Sequence, residues 1–139
     1  MTTIAPTGTI SLIAGVSSGI EPVFAFRLKR RVMDTEREEM HPIYQKYLKE
    51  GRDVPEAIFQ SAWQVAPVWH LRIQEAFQAH TDSAVSKTVN FPKDATVEDV
   101  RSLFLLAARS RVKGVTVYRD QSRPAQILTS EKSGCAGCE

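Results

Sequence analysis

The sequence predicts an α/β fold organised around parallel strands, and two stretches carry that prediction. Residues 84–91 read as a strand, in which Val85, Thr88, Val89 and Phe91 favour pleated structure. Asp94-Ala95-Thr96 then offers a helix N-cap, with Glu98 and Asp99 in the first turn. Val97, Val100, Leu103, Phe104 and Ala107 share one face of that helix, which is expected to end near Val112; Gly114 precedes a second strand at 115–118. Strand, helix and strand with short connections make a βαβ unit, hence parallel pairing. Parallel strands need cover on both faces, which suits an α/β barrel or a doubly wound sheet. The other stretch opens the chain, where Ile4-Ala5 reads as a strand end followed by a turn and a capped helix.

That opening helix carries the first chemistry. Pro6-Thr7-Gly8-Thr9-Ile10-Ser11 places a glycine among hydroxyls, with Thr7 or Thr9 as N-cap and Ile10, Leu12 and Ile13 in the first turns. A helix start leaves N–H groups unpaired and carries partial positive charge. Gly8 lets a ligand approach the backbone closely, so the stretch forms a phosphate seat without a lysine. An ordinary capped helix after a turn fits the same residues.

The middle of the chain reads as mixed elements. Phe24, Phe26 and Leu28 alternate as in a strand with one buried face. Basic Arg27, Lys29, Arg30 and Arg31, followed by acidic Asp34, Glu36, Glu38 and Glu39, read as a solvated strand end and loop. His41-Pro42 opens a helix with Ile43, Tyr44, Tyr47 and Leu48 on one side and Gly51 past its end. Val54-Pro55-Glu56 is expected to start another, with Ile58, Phe59 and Trp63 inward. Pro67 suits the first turn of a third, running to about His80 with Trp69, Ile73, Ala76 and Phe77 on its buried stripe.

Composition narrows the function classes. The chain has 139 residues, 42% hydrophobic and 24% charged, which is one domain's length and ordinary globular chemistry. A net charge of +2 is too small to argue for a nucleic-acid polymer or an anionic membrane as partner, and neither is expected. No apolar run approaches the ~20 residues of a membrane span. No stretch has the form of a secretion signal, and the default expectation is a reducing, cytoplasmic setting. His41, His70 and His80 share no metal-ligand spacing, so no metal site is expected.

The remaining chemistry lies in the polar C-terminal stretch, where residues 124–139 read as a flexible tail ending in Cys135-Ala136-Gly137-Cys138. Covalent haem attachment requires a histidine after the second cysteine, and Glu139 stands there. Thiol–disulfide exchange and half of a shared zinc site both remain open on the residues alone.

Four stretches resemble the large subunit of ribonucleotide reductases, in the adenosylcobalamin-dependent (class II) form. They are TIAPTGTISLIAGVSSGIEP, HTDSAVSKTVNFP from His80 to Pro92, KGVTVYRDQSR from Lys113 to Arg123, and the Cys135–Cys138 pair. The resemblance spans nearly the whole chain but only the last part of such an enzyme. It implies the C-terminal part of a ten-stranded α/β barrel over residues 1–123, followed by the redox tail. It implies conversion of ribonucleotides to deoxyribonucleotides by thiyl-radical chemistry started by adenosylcobalamin, held mainly by the preceding portion of the enzyme.

By the same resemblance, Thr7, Gly8, Thr9, Ile10 and Ser11 grip the substrate phosphates. Cys135 and Cys138 shuttle reducing equivalents from thioredoxin or a similar dithiol. The family's radical cysteine and finger loop have no counterpart here, so the chain is expected to act only with the N-terminal portion of the reductase. Class I enzymes carry adjacent tyrosines on the strand near this position; here Val117 precedes Tyr118, and Tyr118 is read as packing. Against this stand a free-standing phosphate-binding or dithiol redox-adaptor module and a truncated product without function.

Overall fold

Short polar caps and proline turns set where the elements begin. The computed structural model describes residues 1–32, 35–122 and 128–130. In order they form α1 (Gly8–Ala14), β1 (Arg27–Val32), β2 (Thr35–Met40), α2 (Pro42–Lys49), α3 (Pro67–Gln78), β3 (Thr88–Phe91), α4 (Val97–Arg109), β4 (Thr116–Arg119) and β5 (Leu128–Ser130). The chain divides into two compact units. One comprises Met1–Phe24 and Gln60–Ser122; the other contains Ala25–Phe59 and β5.

In the first unit, β3 and β4 pair in parallel, with Thr88 opposite Thr116 and Phe91 opposite Arg119. The intervening α4 completes the expected βαβ unit. Its start is a capping box: Thr96 Oγ1 accepts from the Asp99 N–H, and the Asp99 carboxylate accepts from the Thr96 N–H at 2.8 Å and hydroxyl at 2.7 Å. The core joins Leu71 of α3, Val89 and Phe91 of β3, and Leu103 and Ala107 of α4, with Val100, Val112, Val115 and Val117 packed around them. Val97 and Phe104, assigned above to the buried face of α4, are exposed, so that face is narrower than its apolar residues suggest. Ile4 bridges Val85 in parallel, so the strand end expected at Ile4-Ala5 is present.

Two expectations for the helices need correction. The buried stripe of α3 is His70, Leu71, Gln74 and Gln78, whereas Trp69, Ile73 and Phe77 are exposed. The helix turns its amides inward because neighbouring backbone carbonyls need donors. Gln78 Nε2 donates to Thr81 O at 3.1 Å and Ser83 O at 2.8 Å. The expected helix from Val54 is replaced by two separate turns. The Ile58 and Phe59 N–H groups bond Pro55 O at 3.0 Å, and the Ser61 N–H and hydroxyl both donate to Gln64 Oε1, a local bond that competes with helix. Phe59 is buried, Ile58 is exposed, and Trp63 is half-buried with its ring edge-on to Phe24.

In the second unit, β1 and β2 form an antiparallel hairpin in which Lys29 is opposite Glu38 and Arg31 opposite Glu36. Glu36, Glu38 and Glu39 of the acidic run expected as loop are therefore in a strand, and Asp34 lies outside the described residues. The first strand starts at Arg27, so Phe24 and Phe26 precede it. The α2 helix begins at Pro42 as expected, but Ile43 and Leu48 are exposed. Its aromatic residues carry the packing: Phe26, Tyr44, Tyr47 and Phe59 cluster with centroids 5.0–5.7 Å apart. Leu128–Ser130, inside the stretch read as a tail, pairs antiparallel with β1. No helix among the described residues is long and apolar enough to cross a membrane.

Candidate functional site

The five loop residues singled out in the sequence lie together at the start of α1. Thr7 occupies the N-cap position with φ 52° and ψ 26°, a left-handed conformation uncommon for a β-branched residue. The first helical bond is Ser11 N–H to Thr7 O at 2.9 Å, which leaves the N–H groups of Gly8, Thr9 and Ile10 ahead of it. Thr9 is exposed, and nothing lies within 4 Å of where a Cβ on Gly8 would stand. Ser11 is buried, and its hydroxyl donates to Gly8 O at 2.8 Å. Thr7 does not cap the helix through its side chain. Its Oγ1 instead accepts from the Gly19 N–H at 3.0 Å, tying the loop after α1 back to its start. Ile10, Leu12 and Ile13 are exposed rather than packed in the first turns.

That loop ends in a buried polar network which the sequence reading missed. Lys87, just before β3, has a fully buried side chain. Its Nζ donates to Glu21 Oε2 at 2.5 Å, to His70 Nδ1 at 2.8 Å and to Thr88 O at 2.6 Å, so all three ammonium hydrogens have partners. Glu21 Oε1 accepts from the Thr88 N–H at 2.6 Å. His70 Nε2 lies 3.1 Å from Ala62 O. An imidazole that accepts at Nδ1 and donates at Nε2 is neutral.

Burial holds the His70 ring below its ordinary pKa, and the Lys87 charge deepens the depression. Burial also lowers the Lys87 pKa, opposed by the Glu21 carboxylate. Ala62 N–H donates to Val23 O at 2.8 Å, which closes the circuit onto the segment carrying Glu21. The one sequence signal was a lysine inside a stretch read as one of two parallel strands, since such strands are covered on both faces and a buried lysine requires a partner.

Cys135 and Cys138, the other residues expected to carry chemistry, lie outside the described residues. Among the described residues no group of three or more His, Cys, Asp or Glu converges. A cavity of about 420 Å³ opens between the end of β3 and the start of α4, lined by Val68, Phe91, Pro92, Asp94, Leu103 and Leu106 among others.

A family model described as ribonucleotide reductase, barrel domain, matches residues 1–118. Two relatives are named vitamin B12-dependent ribonucleoside-diphosphate reductase. That of Mycobacterium tuberculosis (strain CDC 1551 / Oshkosh) is 39% identical over all of this chain and 26% of its own length. That of Thermoplasma acidophilum is 41% identical over 93% of this chain and 20% of its own. A vitamin B12-dependent ribonucleotide reductase of Streptomyces coelicolor is 29% identical over 92% of this chain and 16% of its own. The chain thus spans about a quarter or less of the length of these curated relatives. A match over residues 1–118, supported by these relatives, shows that the chain belongs to the ribonucleotide reductase barrel-domain family.

Proposed function

We propose that this chain supplies the C-terminal part of the ten-stranded barrel of an adenosylcobalamin-dependent ribonucleotide reductase. In this reading residues 1–123 belong to the barrel and residues 124–139 form the redox tail. The substrate is a ribonucleoside diphosphate, as in the names of the relatives from Mycobacterium tuberculosis and Thermoplasma acidophilum. The observation that carries the proposal is the family match over residues 1–118, which includes the whole of α1 and the βαβ unit as far as Tyr118 of β4.

Thr7, Gly8, Thr9, Ile10 and Ser11 form the substrate-phosphate loop. The N–H groups at the start of α1 and the exposed Thr9 hydroxyl are its donors, and the open space over Gly8 admits the phosphate. Cys135 and Cys138 act as a dithiol. They exchange with the active-site disulfide left by turnover, become a disulfide themselves, and are reduced by thioredoxin or a similar cytoplasmic dithiol.

Adenosylcobalamin, when bound, supplies the initiating radical. The cavity between β3 and α4 does not fit it: about 420 Å³ is of drug-sized-ligand scale and far too small for a corrin with its side arms. In this reading it is held mainly by the preceding portion of the reductase, which also supplies the radical cysteine. The exposed apolar residues Ile10, Leu12 and Ile13 of α1 and Trp69, Ile73 and Phe77 of α3 support a need for cover from that portion.

The test is reconstitution. Mixed with the N-terminal portion, the chain is expected to form a stable complex on gel filtration. That complex should reduce a ribonucleoside diphosphate only when adenosylcobalamin is present. No complex, or no cobalamin-dependent reduction, would return the chain to the class of independent binding modules.

A further inference from the structure

We infer that Lys87 is a positioning residue that, through Glu21, holds the Gly15–Pro22 return and so fixes the strained Thr7 at the start of α1. Thr7 is a non-glycine residue at φ 52°, a conformation that persists only where its surroundings over-determine it. Its restraint is the Gly19 N–H bond to Thr7 Oγ1 at 3.0 Å. Gly19 is itself held in one conformation: its φ is +51°, and a Cβ there would meet Ala5 O at 3.1 Å. Two residues later the chain is pinned by Glu21, whose two oxygens take the Lys87 ammonium and the Thr88 N–H.

Lys87 has no freedom to do anything else. Its side chain is fully buried, and its three donors are spent on Glu21, His70 and Thr88. His70 in turn is held by Ala62, and Ala62 by Val23 at 2.8 Å, so the return is gripped on both sides of Pro22. Removing the Glu21 charge leaves the fully buried Lys87 ammonium uncompensated, and removing Lys87 leaves the half-buried Glu21 carboxylate without its cation; either way the return carrying Gly19 is released. Thr7 then relaxes toward an unstrained conformation, and the N–H groups that follow it lose their alignment. The consequence for substrate rests on the phosphate-loop reading above; the restraint itself does not.

The test uses Lys87→Met, Glu21→Gln and Lys87→Arg. Glu21→Gln keeps the shape and an acceptor for Thr88, so it carries the test if Lys87→Met fails to fold. Hydrogen exchange on the 139-residue chain is expected to rise by about tenfold or more at residues 15–22, with α4 unchanged, because local opening is measured separately from global unfolding. In the reconstituted reductase, Lys87→Met and Glu21→Gln are expected to raise the ribonucleoside diphosphate KM by about tenfold to a hundredfold, the scale of a misplaced binding group. Their effect on kcat should be smaller, and Lys87→Arg should recover part of the loss.

Unchanged exchange at 15–22 in Glu21→Gln would overturn the restraint, as would a rise spread evenly over β3 and α4. A local rise in exchange with an unchanged KM would overturn the link to substrate and with it the phosphate-loop reading.

Discussion

Gln74 Nε2 donates to the carbonyl of Gly114 at 2.8 Å, a bond that spans forty positions of sequence. The same amide reaches Val85 O at 3.1 Å. Both carbonyls lie just before the parallel ladder of β3 and β4 begins, where no strand partner serves them, so one buried side chain closes both ends. Gln74→Leu keeps the volume and removes both donors. It is expected to destabilise the fold by about 1–3 kcal/mol, the cost of leaving a buried acceptor unsatisfied. A urea midpoint equal to that of the parent chain would contradict this.

The Thr96–Asp99 capping box makes a pH-dependent contribution. The Thr96 hydroxyl, and then its N–H, hold the Asp99 carboxyl below its ordinary value of 3.8. A depressed folded pKa gives stability that is present above the unfolded value and is lost as pH falls through the folded value. Thr96→Ala should therefore lower stability by about 1 kcal/mol at neutral pH. It should also flatten the loss of stability below about pH 4. Thermal melts of both chains across the acid range check the two effects together.

His70 sets a second pH dependence, at higher pH. Its folded pKa lies below 6.5 because it is buried beside Lys87. As pH falls below the unfolded value, the unfolded chain takes up a proton that the folded chain refuses, so stability declines until the folded value is reached. Urea midpoints are expected to fall as pH drops below about 6.5, the ordinary histidine value, and His70→Gln should remove part of that slope. An identical slope in the variant would exclude His70 as its source.

If the α1 start holds substrate phosphate, Thr9→Val in the reconstituted enzyme should cost roughly 1.5–3 kcal/mol of substrate binding, the value of a hydrogen bond to a charged group. Steady-state kinetics read this directly, and an unchanged KM and turnover would sink the assignment.

Replacing Cys135 and Cys138 together with serine should leave folding and nucleotide binding intact while turnover with thioredoxin collapses. A small dithiol that reaches the active site directly should restore much of the activity. Normal turnover of the double variant with thioredoxin, or tight zinc binding by the parent tail, would show the shuttle role to be wrong.

Local rules in the sequence were enough for several elements. Thr96 with Asp99 announced the start of α4, Pro42 and Pro67 the starts of α2 and α3, and strand–helix–strand spacing the parallel pairing of β3 with β4. Each rests on residues a few positions apart, so the information is in the chain itself. Thr7, Gly8, Thr9, Ile10 and Ser11, proposed above as a phosphate loop, fall together at the start of α1 because they are consecutive.

Tertiary structure alone decided which face of α3 turned inward. Apolar periodicity pointed to Trp69, Ile73 and Phe77, but the carbonyls near β3 and β4 required the amides of Gln74 and Gln78. The need for a donor at Gly114 is set by sheet geometry and cannot be read from the helix sequence. The same holds for Lys87: its partners Glu21 and His70 lie 66 and 17 positions away, and only folding brings their complementary charge and lone pair to one buried ammonium.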